Sequence, residues 1–222
     1  MQKEELDPRV AKTLKPEETA IIVVDVMDGY GSPEAPLPKY LNEQFDATFT
    51  DLDKAVDKIV YFLGTARKHP IATTVFVRMV ERPDTMPENL RLKMEIDKVP
   101  PVVEKDGEGW GYYKVQPQED DHEIVKYSYD SFLGTDLDTH LKAHGVKTVV
   151  VMGGYASVCV ETTARTAAQL GYNTFVPADL TADPTLPNHP QTPGAVREKL
   201  STINEVMGYM PLSSTILDIW NN

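Results

Sequence analysis

The sequence predicts a three-layer α/β/α domain with a mostly parallel, Rossmann-like central sheet, on three observations. Short β-branched runs alternate with segments of helical apolar spacing, the pattern of strands joined by right-handed crossovers. The runs are apolar throughout rather than alternating, as in Thr19-Ala-Ile-Ile-Val-Val-Asp25, which suits strands buried on both faces. Several runs end in, or lead to, chemically reactive residues, and parallel sheets carry their ligand sites at the carboxyl ends of strands.

The elements follow in order. Thr19 to Asp25 forms the first strand. Leu52, Ala55, Val56, Ile59, Val60, Leu63 and Ala66 recur at helical spacing, with Thr50 as N-cap and Pro70 just past the end. Ile71 to Val77 reads as a strand. Arg78 to Lys114 is mixed and mostly loop, with a short helix around Leu90 to Ile96 and the Gly-rich piece Asp106-Gly-Glu-Gly-Trp-Gly-Tyr-Tyr113. His122 to Lys126 is a short strand. Thr135 caps a helix that runs to His144 and stops at Gly145. Thr148 to Met152 is a strand, and a helix entered at Cys159 continues to Gly171. Thr174 to Val176 is a strand. Thr192-Pro193 opens a helix reaching Met207, since proline suits the first helical position. Ser213 to Trp220 closes the chain as an amphipathic helix.

The 222 residues suit a single domain over 1–222, with 41% hydrophobic and 25% charged residues, an ordinary globular balance. A formal net charge of -12 argues against nucleic acid as a partner. One cysteine excludes an internal disulfide framework, which points to a reducing, cytoplasmic setting. The polar start Met1-Gln-Lys-Glu-Glu-Leu-Asp-Pro8 does not read as a signal peptide, and no apolar run approaches the ~20 residues of a membrane helix.

Asp25, Lys126 and Cys159 would share one rim of the sheet. Each has an ordinary reading by itself: Asp25 as a strand-end acid, Lys126 as a snorkelling surface lysine, Cys159 as a small core hydrophobe. A helix N-terminus and a nearby ammonium would instead favour a Cys159 thiolate, a nucleophile. The ordinary readings leave the shared rim unexplained.

These residues also carry a family resemblance. The strand ending Val23-Val24-Asp25, Lys126 with Ser131-Phe132 and Gly134-Thr135 behind it, and Gly153-Gly154 leading to Cys159-Val160 resemble the isochorismatase-like cysteine hydrolases. Thr162-Thr163-Ala164, Gly171-Tyr172 and Asp179 extend the resemblance, which covers Thr19 to Asp183 and is firmest from Val125 to Asp179. It implies an Asp–Lys–Cys triad. Cys159 would attack a carbonyl carbon, Asp25 would take the thiol proton and pass it to the leaving amine, and Lys126 would stabilise the thiolate. It further implies an oxyanion hole made by the backbone N–H groups of Tyr155 and Cys159, and a cis peptide between Gly154 and Tyr155. A homo-oligomer is expected on the same ground, with the Gly31 to Pro38 loop and the Met210 to Trp220 segment available to close a neighbour's site.

Two departures from the family narrow the function. Where relatives carry Gln-Asn-Asp-Phe, this chain has Met27-Asp28-Gly29-Tyr30, which keeps an aromatic and loses the amides. The metal-binding nicotinamidase branch holds its ion with an Asp and several His, yet Arg78 to Asp121 contains no His. His140 and His144, one helical turn apart, read as a solvated face. No metal and no cofactor are expected. Substrate-binding candidates are Tyr30, Trp110, Tyr127 and Phe132, with Tyr155, the Asp106 to Tyr113 stretch and the Asp179 to Pro190 loop shaping specificity. Asp130, Glu161 and Asp179 read as structural acids.

The expected activity is metal-independent hydrolysis of a C–N bond (amide, ureido or carbamoyl) in a small molecule. It would pass through a thioester acyl-enzyme and release ammonia or an amine. Two alternatives stay open: a hydrolase of the same fold acting on an ether or ester bond, and a non-catalytic small-molecule-binding or redox-sensing module.

Overall fold

A computed structural model describes residues 6–81, 84–100, 107–189 and 191–222. Among the described residues, five strands form one all-parallel sheet of order β3-β2-β1-β4-β5: β1 Thr19–Val24, β2 Thr73–Met79, β3 His122–Lys126, β4 Thr148–Gly153 and β5 Asn173–Phe175. The helices are α1 Pro8–Ala11, α2 Asp28–Gly31, α3 Pro36–Phe45, α4 Thr50–Ala66, α5 Glu88–Asp97, α6 Leu137–Ala143, α7 Glu161–Gln169, α8 Pro193–Lys199 and α9 Ser213–Trp220.

Strand alternation divides the core in two. Ala20, Ile22 and Val24 of β1 face a layer holding Leu137 and Leu141 of α6, Ala164 and Ala167 of α7 and Val196 of α8. Ile21 and Val23 face the opposite layer, with Val56, Ile59, Phe62 and Leu63 of α4 and Ile216, Leu217 and Trp220 of α9. All six β1 residues are buried, as expected of a central strand covered on both faces. Among the described residues no helix is long and apolar enough to cross a membrane.

Several local details differ from the sequence reading. Thr50 is the first helical residue of α4, and Phe49 occupies the cap position. β2 begins at Thr73 rather than Ile71, because the Ala72 N–H is drawn back to Pro16 and Thr19 carbonyls and pairing starts at Ala20 against Thr73. α6 starts at Leu137 behind Asp136, with the Thr135 hydroxyl accepting from the Leu137 N–H at 3.3 Å. α8 stops at Lys199, and the chain resumes as a π-type turn, Ile203–Met207. The proline-rich stretch read as a loop runs into α3: Pro36 opens that helix and Pro38 lies in its first turn, where no intrahelical N–H donor is needed.

The imidazoles of His122 and His140 stack at 3.9 Å, with His144 at 4.2 Å from His140. His140 accepts or donates to Thr73 Oγ1 at 2.9 Å, and Asp136 sits 3.2 Å from His122. Burial, then His122 and His144, hold the His140 pKa below its ordinary value, with Asp136 opposing. The unfolded chain therefore binds more protons near pH 6, and stability falls as pH drops below about 6.5. His140→Gln is expected to flatten the loss of melting temperature between pH 7 and 5.

Candidate active site

β1 ends at Val24, and Asp25 then adopts a positive φ of 51° while its N–H donates to Val77 O at 2.9 Å. That bond continues the sheet by one residue and turns the carboxylate inward, where it is 2% exposed. Lys126 is the last residue of β3, paired beside Met79, and is wholly buried. Its ammonium lies 2.9 Å from Asp25 Oδ2 and donates a hydrogen bond to Tyr129 O at 2.9 Å.

Cys159 arrives from the neighbouring strand. β4 ends at Gly153, whose φ of 123° suits glycine, and a Cβ there would overlap the Val24 carbonyl oxygen. Gly153→Ala is accordingly expected to cost more than about 2 kcal/mol, read as a shift in denaturant midpoint. The Gly154–Tyr155 peptide is cis. Cys159 then lies in a π-type turn, Ala156–Val160, ahead of α7, instead of at the first turn of a regular helix as the sequence suggested.

Neighbours hold this turn. Ala156 N–H donates to Ala182 O at 3.1 Å, and Ser157 N–H donates to Asp183 Oδ1 at 2.9 Å. Asp183 is itself paired with Lys199 at 2.6 Å. Among the described residues, the N–H groups of Tyr155 and Cys159 donate to no acceptor outside the turn.

The three side chains interact directly. Burial raises the Asp25 carboxyl above the usual carboxylate range, against the pull of Lys126. Burial, then the Asp25 charge, push the Cys159 thiol well up, and Lys126 only partly opposes this. Burial works against the Lys126 ammonium, yet Asp25 and Cys159 hold its pKa above the ordinary value. Burial therefore works against the standing thiolate that a helix N-terminus would favour. The thiol's nearest proton acceptor is a carboxylate made unusually basic by the same burial.

Asp25 and Cys159 line a cavity of about 560 Å³ together with Tyr30, Tyr129 and Tyr155. Tyr155 donates its hydroxyl to Tyr30 O at 3.0 Å, and its ring meets Tyr30 edge-on at 5.7 Å. The Tyr30 hydroxyl is buried without a hydrogen-bond partner among the described residues.

The other substrate candidates lie off the cavity. Trp110 packs under the Arg78 guanidinium at 4.0 Å, Phe132 stacks on Tyr172 at 6.2 Å, and Tyr127 is exposed on the surface. Asp106 falls outside the described residues. The rest of its Gly-rich stretch braces α2, with the carbonyls of Gly109 and Gly111 accepting from Gly29 and Asp28 N–H groups. Pro190 also falls outside the described residues, whereas Asp183, Pro184, Leu186 and His189 from the same loop do line the cavity. Asp130, Glu161 and Asp179 act structurally: Asp130 accepts from Phe132 N–H and Thr166, Glu161 pairs with Arg165, and Asp179 caps α9 through Ser213.

Sequence reading missed the lining residues Leu90, Lys93, Met94 and Asp97 of α5, and Lys199 of α8. Their only signal was the weak helical spacing around Leu90 to Ile96. Among the described residues no cluster of three His, Cys, Asp or Glu is arranged to hold a metal ion.

The parallel α/β sheet thus brings a thiol, a carboxylate and an ammonium together at its carboxyl rim. Residues 19–204 match the Isochorismatase domain, and the chain belongs to the isochorismatase family. It is 29% identical to the ureidoacrylate amidohydrolase RutB of Pseudomonas savastanoi pv. phaseolicola, over 76% of this chain and 72% of that protein. Several other curated relatives are matched over only 29% to 54% of their length, so the chain spans about half or less of those proteins. Its fold resembles a cysteine hydrolase from Pseudomonas syringae pv. phaseolicola 1448A, with a TM-score of 0.75, 24% identity, and coverage of 100% and 99% of the two chains. It also resembles N-carbamoylsarcosine amidase from Thermoplasma acidophilum, with a TM-score of 0.65, 24% identity, and coverage of 88% and 96%.

Proposed function

We propose that the chain is a metal-independent cysteine amidohydrolase that cleaves the C–N bond of a small amide, ureido or carbamoyl compound. The observation that carries this reading is the meeting of Cys159, Asp25 and Lys126, from three different strand ends, beside one cavity.

The proton inventory closes. The Cys159 thiol gives its proton to the Asp25 carboxylate as Sγ bonds to the carbonyl carbon, and Lys126 offsets the charge that moves onto sulfur. The oxyanion accepts from the N–H groups of Tyr155 and Cys159. The C–N bond then breaks as Asp25 protonates the leaving nitrogen, and ammonia or an amine departs. Water next adds to the thioester carbonyl and gives a proton to Asp25. The C–S bond breaks, and the thiolate recovers that proton. A thiol used in this way has to stay reduced, which fits a cytoplasmic setting.

The test is denaturing mass spectrometry of protein quenched during turnover of an amide panel. The expected result is an acyl adduct on the Cys159 peptide, removed by hydroxylamine, together with ammonia release. Ammonia release with no such adduct overturns the covalent route. An adduct formed from esters alone favours the ester hydrolase instead.

A further inference from the structure

The amidohydrolase reading has a consequence for the acyl group, because the cavity beside Cys159 is mostly apolar. Leu37 and Leu41 of α3, Leu90 and Met94 of α5, Val99 just past α5, and Leu186 all line it. Its volume of about 560 Å³ is far more than a one- or two-carbon acyl group fills. Among the described residues, the lysines that line it each sit beside a carboxylate. Lys93 Nζ lies 2.6 Å from Asp97 Oδ2, and Lys199 Nζ lies 2.6 Å from Asp183 Oδ2. Asp25, which faces the same space, is balanced by the Lys126 ammonium at 2.9 Å, so this pair offers no net positive charge to a substrate carboxylate.

We propose that the substrate is an uncharged amide whose acyl part is an extended hydrocarbon or aryl group seated against α3 and α5. Each methylene taken from water into this lining is expected to raise kcat/KM roughly four-fold until the cavity is filled.

The experiment measures ammonia release by wild type from straight-chain primary amides, acetamide to octanamide, and from the same chains ending in a carboxylate. The expected result is a rise in kcat/KM with length. The carboxylate-ended amides should fall roughly 100-fold below their uncharged counterparts, the cost of an unpaired buried charge. Met94→Asp is expected to flatten the length dependence. A flat or falling series in wild type, or carboxylate-ended amides equal to the uncharged ones, overturns the proposal. If no amide releases ammonia, calorimetric binding of the same series to Cys159→Ser decides. Binding that tightens with length upholds the apolar site and removes only the hydrolase reading. Binding without length dependence overturns the site as well.

Discussion

Replacing Cys159 by alanine is expected to abolish amide turnover, lowering kcat by a factor on the order of 10⁶ while the protein still folds. The size follows from the chemistry, since the variant loses the sulfur that, on this reading, forms the acyl intermediate splitting one difficult step into two easier ones. The small effect on folding follows from the surroundings. Cys159 is buried beside two groups that bind each other without it, so the variant loses one sulfur from a packed site. That costs about 1–2 kcal/mol. Serine is not expected to rescue the rate, because its hydroxyl yields a proton to Asp25 far less readily than a thiol does. Asp25→Asn should lose activity on a similar scale, and the double variant should be no worse than either single one. Residues that act as one unit are non-additive in this way. Steady-state ammonia release and thermal melts of the four proteins check the set. A Cys159→Ala protein that keeps wild-type turnover would return Cys159 to the role of a small buried hydrophobe.

The sheet and the meeting of Asp25, Lys126 and Cys159 at one rim were legible for the same reason. Continuous apolar runs such as Thr19 to Val24 mark strands covered on both faces, and the polar residue that ends each run then lies on the functional rim. Asp25, Lys126 and the Cys159 turn follow from that rule with no knowledge of packing. The cavity walls do not. Trp110, Tyr127 and Phe132 are equally aromatic in sequence, but one lies under a guanidinium, one faces solvent and one stacks on Tyr172. Only long-range packing separates them from Tyr30. α5 was faint because none of its residues is buried, so its apolar side chains leave no strong periodic stripe. The upward push of burial on the Cys159 thiol was also out of reach. A strand-to-helix turn suggests a dipole acting on sulfur, whereas burial beside Asp25 dominates once the π-type turn is in place.

Lys126→Met is expected to destabilise the protein by about 3–5 kcal/mol at pH 7, because it leaves the Asp25 carboxylate buried without its counter-charge. Methionine fills a similar volume, so the loss reflects charge more than packing. Burial already holds the Asp25 pKa above its ordinary value with Lys126 present, and removing the ammonium raises it further. Between the unfolded value near ~3.9 and that raised folded value, the folded variant binds more protons than the unfolded chain. Its stability relative to wild type should therefore recover as pH falls from 7 towards 5. In wild type the Lys126 pKa is raised on folding, so the stabilisation it contributes is present below the ordinary lysine range and fades only as pH climbs through the folded value. Asp25→Asn combined with Lys126→Met should regain most of the loss at pH 7, since neither side chain then brings a charge into the core. Denaturant midpoints of wild type, both single variants and the double variant at pH 5 and 7 measure the pair directly. A single Lys126→Met variant as stable as wild type at pH 7 would mean that Asp25 carries its proton in the folded protein. It would then be an acid at rest rather than the base that the thiol requires.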